Sequence, residues 1–162
     1  MISPKSVIAL LLFASISIVA CKKDKAVHPK GDALFVETGG ETLPPSPEHP
    51  HKSIQITATG SYEISITGEN KSDIRQLPGN IHDSLKPYLN SFPRTTIKSD
   101  PDINRYGTGP ARDISVSIFT YIQESPADTT SIRIDYNTYV PYMEDFQKKL
   151  EQTIKNCKLL GN

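Results

Sequence analysis

A chain of 162 residues with 18 Lys and Arg against 18 Asp and Glu has no charge excess with which to hold nucleic acid or an acidic polymer, since either calls for a clustered basic surface. Two cysteines are too few for a disulfide framework. With 36% apolar residues the chain can bury one modest core and not two.

Lys5 supplies a positive charge ahead of a largely apolar run from Val7 to Val19. Crossing a bilayer takes about 20 such residues, whereas the apolar part of a signal peptide takes roughly 7 to 15. The run therefore reads as a segment that is cut off and not embedded. It ends in Ile18-Val19-Ala20-Cys21, which resembles the lipobox of bacterial lipoproteins: a branched apolar residue three positions before the cysteine, a small residue just before it, then the cysteine. Membership of that class implies that the Cys21 thiol takes up a diacylglyceryl group, that the bond before it is cleaved, and that the new amino group is acylated with a fatty acid such as palmitate. The thiol is suited to this step, since an ordinary cysteine is partly ionised near neutral pH. Residues 1–20 are then a signal peptide, and two or three acyl chains hold the product on a membrane without spanning it. An ordinary secretory signal would leave Cys21 incidental; charge, run length and cleavage box together favour the lipobox. Lys22 stands where the resemblance would place an Asp for inner-membrane retention, which implies the outer membrane of a Gram-negative envelope. The start Cys21-Lys22-Lys23-Asp24 also resembles lipoproteins of the Bacteroidota.

Residues 21–51 read as the lipidated cysteine and a tether. Pro29, Pro44, Pro45, Pro47 and Pro50 fall among Gly31, Gly39 and Gly40, a density at which no helix or central strand is expected. Leu34-Phe35-Val36 is its one apolar island, suited to an edge strand. As a coil such a tether spans roughly 30 Å. His28, His49 and His51 lie in it, but a solvated linker accounts for them better than a metal does.

Residues 52–162 read as a single α+β domain. Ile54, Ile56 and Ala58, then Tyr62, Ile64 and Ile66, alternate with polar residues as half-buried strands do. An even-length turn at Gly60-Ser61 would send the two apolar sets to opposite faces, so an odd loop, a bulge or a bend at Gly60 is expected. Ile81, Leu85, Tyr88, Leu89 and Phe92 form one face of a helix, with Ser84 as N-cap so that Pro87 falls in the first turn. Thr95 to Lys98 suits a short strand. Ile114, Val116, Ile118, Thr120 and Ile122, then Ile132, Ile134, Tyr136, Thr138 and Val140, suit a hairpin turning near Ser125-Asp128, with even residues opposite even and facing the core. The last helix opens at Pro141 with Glu144 and Asp145 near its positive end, and buries Met143, Phe146, Leu150, Ile154 and Cys157. The architecture expected is two-layered: an antiparallel sheet with two helices packed on one face.

No convergent catalytic set is apparent. His82-Asp83-Ser84 holds the residue types of a hydrolytic triad, yet neighbours in sequence point in different directions. Asp100, Asp102 and Asn104 alternate as in a calcium loop, but Arg105 and Ala111 occupy the positions that need Gly and Glu. Gly107-Thr108-Gly109 is a lone GxG that reads as a turn. Phe119, Tyr121 and Tyr139, with Arg133 beside them, would lie on the outer face of the hairpin and form a candidate platform for a glycan, peptide or protein partner. The expectation is therefore a membrane-anchored binding or accessory protein of the cell envelope, with no cofactor, no metal and no nucleic-acid partner. The rival is a small envelope hydrolase built around the loop from Asp100 to Asp113, which would require His82 to meet an acid in a pocket near that loop.

Overall fold

The computed structural model describes residues 31–40, 48, 50–68, 71–103, 106, 115–123, 125–135 and 138–160. Strands β1 (Ala33–Gly40), β2 (His51–Thr57), β3 (Ser61–Gly68) and β4 (Lys71–Gln76) are followed by helices α1 (Gly79–Ser91) and α2 (Arg94–Ser99). Strands β5 (Ser115–Gln123) and β6 (Ser125–Asp135) and helix α3 (Glu144–Asn156) complete the chain. The strands make one sheet in the order β4-β3-β2-β1-β5-β6, antiparallel throughout. The helices cover one face, so the α+β architecture expected from the sequence is what forms. Among the described residues no helix is long and apolar enough to cross a membrane.

The first departure is β1, which lies inside the stretch expected to be a tether. It is an inner strand, paired with β2 on one side and β5 on the other. Leu34 and Val36 are buried on the helix-covered face, opposite Ile56 and Ile54 of β2 and Tyr121 and Phe119 of β5. A three-residue apolar island holds an interior position because its neighbours supply both the backbone partners and the burial. Residues 33–40, inside the stretch read as tether, thus belong to the sheet.

The second departure is register. Ile56 pairs with Ser61, so Ile54 and Ile56 face the helices while Tyr62, Ile64 and Ile66 face away. The conflict that parity foresees is real, and the sheet tolerates it because β3 is next to the edge. There its inward residue Glu63 accepts a hydrogen bond from Arg75 of β4 at 2.5 Å and another from the Leu160 amide at 3.1 Å. Across the sheet Phe119 pairs with Ile132 and Ile118 with Arg133, so odd residues oppose even ones. The ladder reaches Gln123↔Ser125 after an irregularity at Ile122, and the turn lies ahead of Ser125. The face of β5 is therefore the reverse of that expected: Phe119 and Tyr121 point under the helices, and Ile118 and Ile122 point out.

Three local elements also differ. β4 carries a single large apolar residue, Ile74, and that one is exposed, so no alternation announces it. α1 starts six residues earlier than the Ser84 cap allows, with Pro78 accepting from the Ile81 and His82 amides, and Pro87 sits inside the helix at an exposed position. Its Leu85, Leu89 and Phe92 are buried as expected. Residues 94–99 are the helix α2, not a strand, and bury Ile97. In α3, Phe146, Leu150 and Ile154 are buried, with Met143 just ahead, while Cys157 is only half-buried. Tyr88 and Thr153 join α1 to α3 through their hydroxyls at 2.8 Å.

Candidate functional site

The four residues proposed as a platform are split into three places. Phe119 is 1% exposed and meets the edge of Phe146 with ring centroids 5.8 Å apart. Tyr121 is 6% exposed; Phe92 stacks on it at 5.7 Å, and the Arg94 guanidinium lies over its ring at 5.2 Å from the centroid. These two belong to the core. The reason is the odd register of the hairpin, which turns them under the helices. Arg133 lies on the outer face of β6, with its Nε 3.8 Å from an Asp135 carboxylate oxygen. Tyr139 alone stands as an exposed aromatic, 64% open to solvent, four residues past the end of β6. Cys21 lies outside the described residues.

Tyr121 marks a junction that the sequence did not announce. Its hydroxyl donates to the Asp32 carboxylate at 2.5 Å, and Asp32 is the residue immediately before β1. Burial, then that hydrogen bond, then the Asp32 charge hold the phenol neutral and push its pKa up to about 12, against a smaller opposing effect of Arg94. Arg94 also donates to the Gln123 side chain, and Lys98 pairs with Asp128. The start of β1 is thus pinned to the helix-covered layer at the end of the sheet where β2 turns into β3 and β5 into β6.

Two further polar clusters bear on the enzyme reading. Ser61 Oγ and His82 Nδ1 are 3.0 Å apart, but Ser61 is fully buried, so its hydroxyl cannot reach a substrate. Ser84 Oγ donates to the Asn80 carbonyl within the helix, so the sequential triad is not assembled. Asp100 Oδ2 accepts from the Tyr142 hydroxyl at 2.6 Å and the Tyr106 hydroxyl at 3.0 Å, and Oδ1 accepts from the Asp102 amide at 2.9 Å. Those donors, Tyr142 first, hold its carboxyl below the usual range, while burial and the Asp100 charge push Tyr142 upward. Protein donors occupy both Asp100 oxygens, as an Asx turn with added phenols would have it. Asn104, Arg105 and the Gly107-Thr108-Gly109 stretch lie outside the described residues. Among the described residues no three His, Cys, Asp or Glu side chains converge on a metal position.

Among the described residues, a shallow depression of about 140 Å³ lies beside Tyr139, one of the four platform residues. Thr138 and Val140 form its floor, and the first two turns of α3 contribute Glu144, Gln147, Lys148 and Glu151. The Glu144 carboxylate beside the Tyr139 hydroxyl favours the neutral phenol and raises its pKa above the ordinary value. Gln147 Nε2 donates to Glu151 Oε1 at 2.9 Å, and Lys148 lies 3.9 Å from Glu144. The rim therefore offers acceptors and donors together around one aromatic face. Compared with known proteins, the chain matches no family model and no curated protein, so the site is read from its geometry alone.

Proposed function

We propose that the chain is a lipid-anchored protein of the cell envelope, held through acylated Cys21, whose folded domain binds a partner and does no chemistry on it. The observation that carries the reading is the join between anchor and fold. A lipobox cysteine is followed by only eleven residues, Lys22 to Asp32, before an inner strand of the sheet whose entry is fastened by Tyr121. Eleven residues span roughly 18 Å as a coil and at most about 40 Å fully extended. A domain on so short a lead stays next to the bilayer, which suits an accessory or capture role at the surface. Without the retention signal at position 22, the outer membrane is the assigned address in a Gram-negative cell. The binding reading gains from the polar clusters, since Tyr121 with Asp32 and Asp100 with its two phenols are closed on themselves and Ser61 is shielded.

The test is Cys21→Ser, examined by metabolic labelling with a fatty acid and by detergent partition. The parent chain should carry label and enter the detergent phase; the variant should do neither, because serine lacks the thiolate that accepts diacylglycerol. Labelling that persists in the variant would overturn the anchor.

A further inference from the structure

The geometry points to the Tyr139 depression as a saccharide-binding subsite on the end of the domain that faces away from the membrane. The placement rests on the anchor reading; the ligand chemistry does not. β1 runs from the anchored end at Ala33, beside Thr57 and Ile122, to Gly40, beside Ser115. β6 runs the same way and finishes at Asp135, opposite Val116 and next to the far end of β1. The Thr138 amide donates to the Asp135 carbonyl, so Tyr139 belongs to the far end of the sheet. A surface there is open to molecules in the surrounding compartment, whereas the β2–β3 and β5–β6 turns are next to the anchor.

The ligand class follows from the side chains. Tyr139 presents an open ring face beside the depression, on which a ligand can stack. Two carboxylates, an amide and an ammonium from Glu144, Glu151, Gln147 and Lys148 surround it. A pyranose suits that set: one C–H face for the aromatic ring, and hydroxyls that donate to carboxylates and accept from amide or ammonium. An apolar peptide anchor would need a deep greasy pocket, and Val140 on the floor is itself buried in the core. A phosphate-bearing ligand would meet two carboxylates against one ammonium. At about 140 Å³ the depression is far below the roughly 300–1,000 Å³ that encloses a whole small ligand, so it takes one sugar ring of a longer glycan.

The experiment uses the full chain with Cys21→Ser, which removes acylation and so makes sugar binding independent of the anchor. Amide resonances are followed in two-dimensional NMR while chitotriose, cellotriose and maltotriose are added to millimolar concentrations, with a lysine-rich tripeptide as the competing chemistry. The expected result is saturable shifts at residues 138–151 with at least one trisaccharide. Tyr139→Ala should weaken that affinity about tenfold, equivalent to about 1.4 kcal/mol, while Tyr139→Phe keeps it within a few-fold. Both substitutions are at an exposed site and should leave the rest of the spectrum in place. Shifts with the tripeptide alone, no shifts with any trisaccharide, or undiminished binding in Tyr139→Ala would each overturn the subsite.

Discussion

Replacing Phe119 and Ile118 separately by Ala asks which face of β5 belongs to the core. Phe119 is 1% exposed, lies opposite Val36 and Ile132, and meets Phe146 edge-on. Truncating a buried phenylalanine combines lost transfer energy with a residual cavity and costs about 3–5 kcal/mol. Ile118 is half-buried on the outer face, between Glu37 and Arg133 in the ladder. Its truncation removes three carbons, about 2.4 kcal/mol at 0.8 per fully buried carbon, and about half of that at half burial. Against a total of about 5–15 kcal/mol for a domain, Phe119→Ala should lower the urea midpoint of the acyl-free chain severely, and Ile118→Ala only modestly. Circular dichroism at increasing urea measures both; Phe119→Leu serves where the alanine variant does not fold. An Ile118→Ala loss equal to or larger than the Phe119→Ala loss would mean that the even residues of β5 are the buried ones, and the odd register would be wrong.

Truncation separates the two accounts of residues 33–40. A chain beginning at Gly31 should melt cooperatively like the parent, whereas one beginning at residue 41 lacks an inner strand and should show no cooperative transition in calorimetry; a residue-41 chain melting within a few degrees of the parent would return β1 to the tether. The second concerns pH. Tyr121 ionises at about 12 in the folded chain against an ordinary 10, because burial and the Asp32 carboxylate favour its neutral form. Its contribution to stability is therefore complete below pH 10 and is lost as pH rises through about 12. Tyr121→Phe, which cannot ionise, should lower stability at neutral pH and flatten the decline between pH 10 and 12 in urea titrations. Parallel curves for parent and variant over that range would remove Tyr121 from the alkaline limb.

The α+β class, the buried stripe of α3 and the apolar face of α1 follow from periodicity, because a helix presents its burial at intervals that local sequence encodes. Strands encode less. β5 offers apolar residues on both of its faces, Val116, Ile118 and Ile122 on one and Phe119 and Tyr121 on the other, and no count within the strand decides between them. The choice is made elsewhere: Phe92, just past the end of α1, and Phe146 of α3 arrive on the inner face and gather Phe119 and Tyr121 into one aromatic layer. That the Leu34-Phe35-Val36 island forms an inner strand and not an edge one is hidden for a related reason, since its burial comes from partners on both sides and not from its own length.

The same selection dispersed the candidate platform. Once aromatic packing claimed Phe119 and Tyr121, the hairpin could not show them to a ligand, and Tyr139 remained open because β6 ends at Asp135, before it. Tyr121 took on another task. Its hydroxyl reaches Asp32, immediately before β1, so the ring that completes the core also fastens the entry to the sheet. Tension applied to the chain ahead of β1 would enter an inner strand hydrogen-bonded along both edges, which yields only by shearing two ladders together. An edge strand in that position would peel away one pair at a time.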